Sequence, residues 1–319
     1  MLRAVFISLS KANWAQKAIT RQQFAWKAAS RFVAGETSAD AIKVVRQLNG
    51  HGINASLDYL GENTGSVEAA AEAAENVISL LSEIQKSEIR SNVSLKLSQL
   101  GLNIDENLCR NNLAKILETA AQLHNFIRID MEDSTTTTQT LNMYRWARQQ
   151  GFENLGVVIQ SYLFRSEQDV RDLASCNAKI RLVKGAYKES PDIAFPEKKD
   201  VDAEFDRLTE ALIENSKKAG GVLAGEDGQT PPIAAIATHD EKRIQCAQLT
   251  AQRYGLSPRS IEFQMLYGIR RDLQEKMVSA GYPVRVYVPF GTHWYSYFMR
   301  RLAERPANVW FMISNSLRS

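Results

Sequence analysis

The chain has 319 residues, 44% of them hydrophobic, with 39 basic and 36 acidic side chains and a net charge of +3. Such a length buries a sizeable core, and no global basic excess exists to drive counterion release, which excludes nucleic acid as the main partner. Cys109, Cys176 and Cys246 lie far apart, and the histidines at 51, 124, 239 and 293 form no zinc-type cluster. The thiols therefore read as reduced and buried or half-buried, as in a cytosolic protein, and no metal centre is expected.

Residues 1–40 form a basic N-terminal segment. Arg3, Lys11, Lys17, Arg21, Lys27 and Arg31 all precede the first acid, Glu36. Its apolar run, "AVFISL", falls far short of the roughly 20 apolar residues that a membrane span needs. It also lacks the long apolar segment and cleavage site of a secretory signal. Three readings stay open. One is a helical cap on the domain, with Trp14, Ala18, Phe24 and Ala25 turned inward; the others are a basic amphipathic contact with a membrane surface and a mitochondrial-type presequence.

From residue 41 to 319, helix-period stretches alternate with short runs rich in β-branched residues. The predicted strands are "INASLDY" (53–59), "NVSLKL" (92–97), "FIRIDM" (126–131) and "GVVIQSY" (156–162). Then come "KIRLVKG" (179–185), "IAAIAT" (233–238), "IEFQML" (261–266) and "VRVYVP" (284–289). Between them lie helices such as "SVEAAAEAAENVISLLSEIQ" (66–85), with strong helix formers and apolar residues at i, i+3 and i+4. Eight such units match a (β/α)8 barrel, which takes about 250 residues. An open doubly wound sheet is the alternative, weakened because no G-x-G-x-x-G follows the first strand. The Gly-rich "AGGVLAGEDGQTPP" (219–232) makes an unusually long loop before the sixth strand, and its role stays open.

Strand alternation sorts the barrel's two faces. Val93, Leu95 and Leu97 oppose Ser94 and Lys96; Ile127, Ile129 and Met131 oppose Phe126, Arg128 and Asp130. Ile180 and Leu182 oppose Arg181 and Val183; Val284, Val286 and Val288 oppose Arg285 and Tyr287. One face is aliphatic, as helix packing requires, and the other repeatedly carries charge. Ions inside a protein persist only if they pair or bind something. Lys96, Asp130, Arg181 and Tyr287 lie nearest the strand C-termini, where barrel enzymes place their sites. Arg128 and Arg285 lie deeper, where mutual structural ion pairing stands as the alternative to binding something.

After the eighth strand, "GTHWYSYFMRRLAERPAN" (291–308) predicts a helix that Pro306 limits. At about 100° per residue, Tyr297, Arg300, Arg301 and Glu304 form one stripe. Trp294, Tyr295, Phe298 and Leu302 form the other, apolar one. Two arginines beside a tyrosine suit a carboxylate, whose oxygens the planar guanidinium matches in pairs.

With these residues assembled, the chain resembles the proline dehydrogenase family over essentially its whole length, and its monofunctional bacterial members in particular. The segments carrying the resemblance are "SLKLSQLGL" (94–102), "IDMEDS" (129–134), "RLVKGAYKE" (181–189), "ATHD" (237–240), "EFQMLYG" (262–268) and the run from Arg285 through "WYSYFMRRLAERPAN". Each motif alone is weak; their order at successive strand ends is specific. The resemblance implies a distorted (β/α)8 TIM barrel with an N-terminal helical segment. It further implies noncovalent FAD, oxidation of L-proline to 1-pyrroline-5-carboxylate, and a membrane quinone as electron acceptor. A cytoplasmic protein, with a peripheral contact on the inner face of the membrane as one option, is the matching location.

By the same resemblance, Arg300, Arg301 and Lys96 hold the substrate carboxylate, while Tyr287, Tyr297 and Leu266 wall the ring. Asp130 is the essential carboxylate below the ring, Met131 lies beside the flavin, and Arg181 lies near its N5. Gln160, Lys184, Gly185, Ala186, Thr238, His239 and Glu304 hold the rest of the cofactor. Two competing readings stand beside this one. A flavin barrel for 4-hydroxyproline would place a hydroxyl against Tyr287, and a flavin-free binding barrel would keep the anion clamp without redox chemistry.

Overall fold

The computed structural model describes residues 23–304 apart from 62, 63 and 188, and only the backbone of residues 23, 24 and 304. The expected inward positions of Trp14 and Ala18, the Phe24 and Glu304 side chains and the stop at Pro306 therefore lie outside the described residues.

Eight strands build the barrel: β1 (Asn54–Tyr59), β2 (Ser91–Leu95), β3 (Ile127–Ile129), β4 (Leu155–Gln160), β5 (Lys179–Val183), β6 (Ala234–Ala237), β7 (Ile261–Leu266) and β8 (Val284–Phe290). All neighbours pair in parallel, in chain order, and β8 closes on β1. The helices preceding the barrel are α1 (Gln23–Ala29) and α2 (Ser38–Gly50). After successive strands come α3 (Val67–Lys86), α4 (Glu106–Gln122), α5 (Thr137–Gln149), α6 (Ser166–Ala174), α7 (Lys198–Lys218), α8 (Glu241–Arg253), α9 (Arg271–Ser279) and α10 (Trp294–Glu304). The main hydrophobic core fills the layer between strands and helices, and includes Leu57, Val93, Ile129, Val157, Leu182, Phe263 and Val286.

Local chemistry starts these helices where the strands end. Thr37 and Asp40 form a reciprocal capping box on α2, each side chain accepting from the other's backbone N–H at 3.2 Å. Asp105 caps α4 by accepting the Leu108 N–H at 2.8 Å, and Asp240 caps α8 from the Lys242 N–H at 3.1 Å.

The barrel departs from the regular pattern at its seam. The helix α2, which precedes β1, packs against both β1 and β8 and so takes an outer-ring position beside the seam. With α2 there, α10 packs on α1. A separate apolar cluster joins the two through Ala25, Ala29, Phe32, Trp294, Phe298 and Leu302. Trp26 meets Trp294 with ring centroids 5.4 Å apart, and Phe32 meets Phe298 at 6.4 Å. This seat directs the other side of α10 at the barrel mouth.

The barrel floor answers the question of the long loop. Arg285 and Glu262 are wholly buried and form an ion pair at 2.9 Å. Arg285 also donates to the carbonyls of Ala55 at 2.6 Å and Gly228 at 2.9 Å. Asn92 donates to the Gln229 carbonyl at 2.8 Å. Residues 219–232 thus fold back beneath the strands, and their carbonyls close the N-terminal end of the barrel. Arg128, for which ion pairing is the alternative reading, donates to the carbonyls of Val157 and Lys179 and stacks over Phe126 at 5.0 Å. Gly156 makes room for it, since a Cβ there would collide with its guanidinium.

Candidate active site

At the carboxyl ends of the strands lies a cavity of about 590 Å³. Its floor follows from the alternation within each strand. Three hydroxyl-bearing and amide side chains, Ser56, Ser94 and Gln264, surround Arg181. The guanidinium donates to Gln264 Oε1 and to the two serines at 3.4 and 3.0 Å. Its Nη1 donates to Asp130 Oδ1 at 2.8 Å, and its plane lies 5.4 Å from the centre of the Tyr287 ring. Tyr287 donates its hydroxyl to the other oxygen of Asp130 at 2.7 Å. Asp130 is thus held from both sides by groups on β5 and β8. Burial of the Tyr287 hydroxyl, with the charges of Asp130 and Asp58 added, pushes that phenol well above its ordinary range.

Lys96 completes the cluster. Its ammonium lies 3.1 and 3.2 Å from the two oxygens of Asp58, 3.8 Å from Asp130 and 3.4 Å from the Tyr287 hydroxyl. Asp58 is entirely buried. Burial raises its carboxyl above the usual range, Lys96 opposes that shift, and Asp130 adds to it. With both acids ionised, Lys96 and Arg181 balance Asp58 and Asp130, the arrangement in which buried charge is least costly.

One wall of the cavity comes from β4 to β7. Gln160 is 3% exposed, and its Oε1 meets no hydrogen-bond partner among the described residues. Lys184 is gripped by Asp202 at 2.5 Å and Asp240 at 3.0 Å. Gly185 follows at φ +121°, with the Tyr162 ring directly behind it, so no side chain fits there. His239 Nε2 accepts the Leu266 N–H at 2.9 Å, which leaves the ring proton on Nδ1. Thr238 Oγ1 accepts the Asp240 N–H at 3.1 Å. Over the opposite side stands α10, where Arg301 stacks on the Tyr297 ring at 5.0 Å and Arg300 lines the same space.

Every residue assigned to substrate or cofactor in the sequence, Glu304 aside, therefore lines one cavity: Lys96, Asp130, Met131, Gln160, Arg181, Lys184, Gly185, Ala186, Thr238, His239, Leu266, Tyr287, Tyr297, Arg300 and Arg301. Sequence reasoning missed Asp58, Gln264, Asp202 and Asp240. The alternation that exposed Lys96 and Arg181 also places Asp58 and Gln264 inward, beside Ser56 and Glu262 respectively. Nothing local marks Asp202, which reaches Lys184 from α7. The thiols depart from expectation in one respect: all three are free, but Cys176 is exposed.

A closed parallel (β/α)8 barrel with an ionisable floor and a cavity at its strand C-termini has the architecture of a barrel enzyme. The family model for proline dehydrogenase matches residues 41–314. Proline dehydrogenase 2 of Bacillus subtilis (strain 168) is 40% identical over 309 residues, covering 97% of this chain and 96% of its own. The proline dehydrogenase of Deinococcus radiodurans is also 40% identical, over 94% of this chain and 93% of its own. Among solved structures, proline utilization A from Bdellovibrio bacteriovorus, inactivated by N-propargylglycine, superposes with a TM-score of 0.78 at 25% identity. That match covers 87% of this chain and 32% of the longer one. The chain belongs to the proline dehydrogenase family.

Proposed function

We propose that the protein oxidises L-proline to 1-pyrroline-5-carboxylate, with noncovalently bound FAD as the immediate acceptor and a membrane quinone as the next. The convergence of the family-type residues on one cavity carries this reading. The cavity wall also suits the cofactor. Gln160 Oε1 is a buried acceptor that finds no donor among the described residues, and Gly185 lines the same cavity without a side chain. Met131, Gln160, Arg181, Lys184, Gly185, Ala186, Thr238, His239 and Glu304 are the residues assigned to hold it. When bound, FAD supplies the two-electron acceptor for hydride from the ring carbon next to nitrogen.

The chain's own residues do the rest by orientation and charge. Arg300 and Arg301 present two planar forks to the substrate carboxylate, with Lys96 as a third cation. Leu266, Tyr287 and Tyr297 wall the apolar ring. Proline's nitrogen must be neutral before hydride leaves. With Lys96 and Arg181 balanced by Asp58 and Asp130, Arg300 and Arg301 add positive charge that disfavours a further cation and so favours loss of that proton. Asp130, fixed by Arg181 and Tyr287, offers its remaining lone pairs to the amine.

The basic residues 1–40 are proposed to pack on the barrel and to bring it to the inner face of the cytoplasmic membrane, where the quinone resides. Contacts of α1 with α10 support the first part. No helix among the described residues is long and apolar enough to cross a membrane, which suits a peripheral contact. The test is direct. Purified protein should be yellow and should bleach anaerobically with L-proline. Colourless protein that FAD cannot reconstitute would sink the reading. A turnover with 4-hydroxyproline equal to that with proline would remove Tyr287 as the wall that separates the two substrates.

A further inference from the structure

Asp58 lies beneath the cavity rather than in its wall, and no role in the proposed reaction falls to it directly. Its carboxylate nevertheless grips Lys96, with both oxygens within 3.2 Å of the ammonium, while Asp130 stands at 3.8 Å. The side chains are 1% and 8% exposed, so water does little to screen the pair. Among the described residues, Tyr287 on β8 also meets Lys96, and Arg181 on β5 with Tyr297, Arg300 and Arg301 of α10 lines the same cavity. Among the described side chains, Asp58 and Asp130 are acids within 4 Å of the ammonium.

From this juxtaposition we infer that Asp58 is a positioning residue that acts through Lys96, holding the ammonium charged and aimed at the carboxylate site. The inference rests on the proline-oxidising reading. Without Asp58, Lys96 keeps its 3.8 Å contact with Asp130, but burial and the arginines of the cavity disfavour the cation, so the ammonium sheds its proton more readily. A carboxylate ligand would then have to restore that proton as it binds. In the native protein the proton is already in place.

The experiment uses the FAD-loaded full chain and cyclopentanecarboxylate, which matches the ring and carboxylate of proline but has no nitrogen to titrate. Calorimetry at pH 8 in buffers of different ionisation enthalpy counts the protons taken up. Wild-type protein should bind the analogue without proton uptake. D58N should take up close to one proton, and its affinity should fall roughly tenfold per pH unit as pH rises, the slope of a one-proton linkage. Equal affinity with no uptake in D58N overturns the proposal, as does weaker binding without uptake, which marks a purely structural role.

A second measurement covers a D58N chain that fails to fold. Removing both charges leaves no uncompensated buried ion. The double variant Lys96→Met/Asp58→Asn should therefore show no higher KM and no lower kcat for proline than Lys96→Met alone, because a residue acting only through Lys96 adds no further loss once Lys96 is gone. Additive losses overturn it. Wild-type protein that neither binds the analogue nor is reduced by proline removes the functional reading, and this proposal with it.

Discussion

Arg301 lines the cavity from α10 and stacks on Tyr297, so its guanidinium is held in orientation before any ligand arrives. Replacing it with methionine keeps much of the side-chain volume and removes one charge-assisted fork, a contact of about 1.5–3 kcal/mol. The expected outcome is a roughly ten- to hundredfold rise in KM for proline, with flavin content nearly intact. Steady-state kinetics on flavin-normalised protein check it, and an unchanged KM takes Arg301 out of the clamp. Cys109 gives a second expectation at this scale. Burial, then the charges of Glu132 and Glu106, push its thiol up to about 12. Since the thiolate is the nucleophile, iodoacetamide at pH 8 should label Cys176 and spare Cys109 until the protein unfolds, as peptide mass spectrometry would read. The sign for stability follows. The raised group favours the fold below its unfolded value, and that contribution is lost as pH climbs from about 9 toward 12.

Among the elements, the strands were the most legible part of the chain. Most of them place aliphatic residues on the helix-facing side and polar ones inward, and period 2 leaves no freedom about which is which. That rule put Lys96, Asp130, Arg181 and Tyr287 at one mouth, and their mutual contacts follow from it. The polar stripe of α10 was legible for the same reason. What could not be read was the seat of α2 beside the β8–β1 seam, because two amphipathic helices look alike until the barrel closes and only one fits. The loop of residues 219–232 was illegible for another reason: it works through the carbonyls of Gly228 and Gln229, which any sequence would offer. Beneath them, β7 and β8 are tied by Glu262 and Arg285. Truncating Glu262 to alanine leaves a wholly buried guanidinium unpaired, which should cost about 3–5 kcal/mol, measurable as a lowered urea midpoint. A shift below 1 kcal/mol would show that the floor carbonyls alone satisfy Arg285.

At the scale of the molecule, the two larger apolar clusters among the described residues divide the labour: one binds strands to their helices, and the other binds α1 to α10 above the mouth. The helix that presents Arg300 and Arg301 is thus anchored by a segment that precedes the barrel in the chain. Trp26 is the test of that coupling, since its ring meets Trp294 at 5.4 Å while the rest of the barrel core lies elsewhere. Trp26 is only partly buried, so Trp26→Ala should cost about 2 kcal/mol, half of what deleting a wholly buried aromatic does. The loss should fall on the local seating of α10 rather than on the barrel. Amides of residues 294–303 should then exchange roughly tenfold faster or more, while those of β1 to β8 stay protected. The KM for proline should rise in step, because the arginines spend less time at the cavity. Faster exchange across the strands as well would mean that the two clusters unfold as one unit. Unchanged exchange in α10 would mean that Phe32 and Phe298 suffice to hold the helix over the mouth.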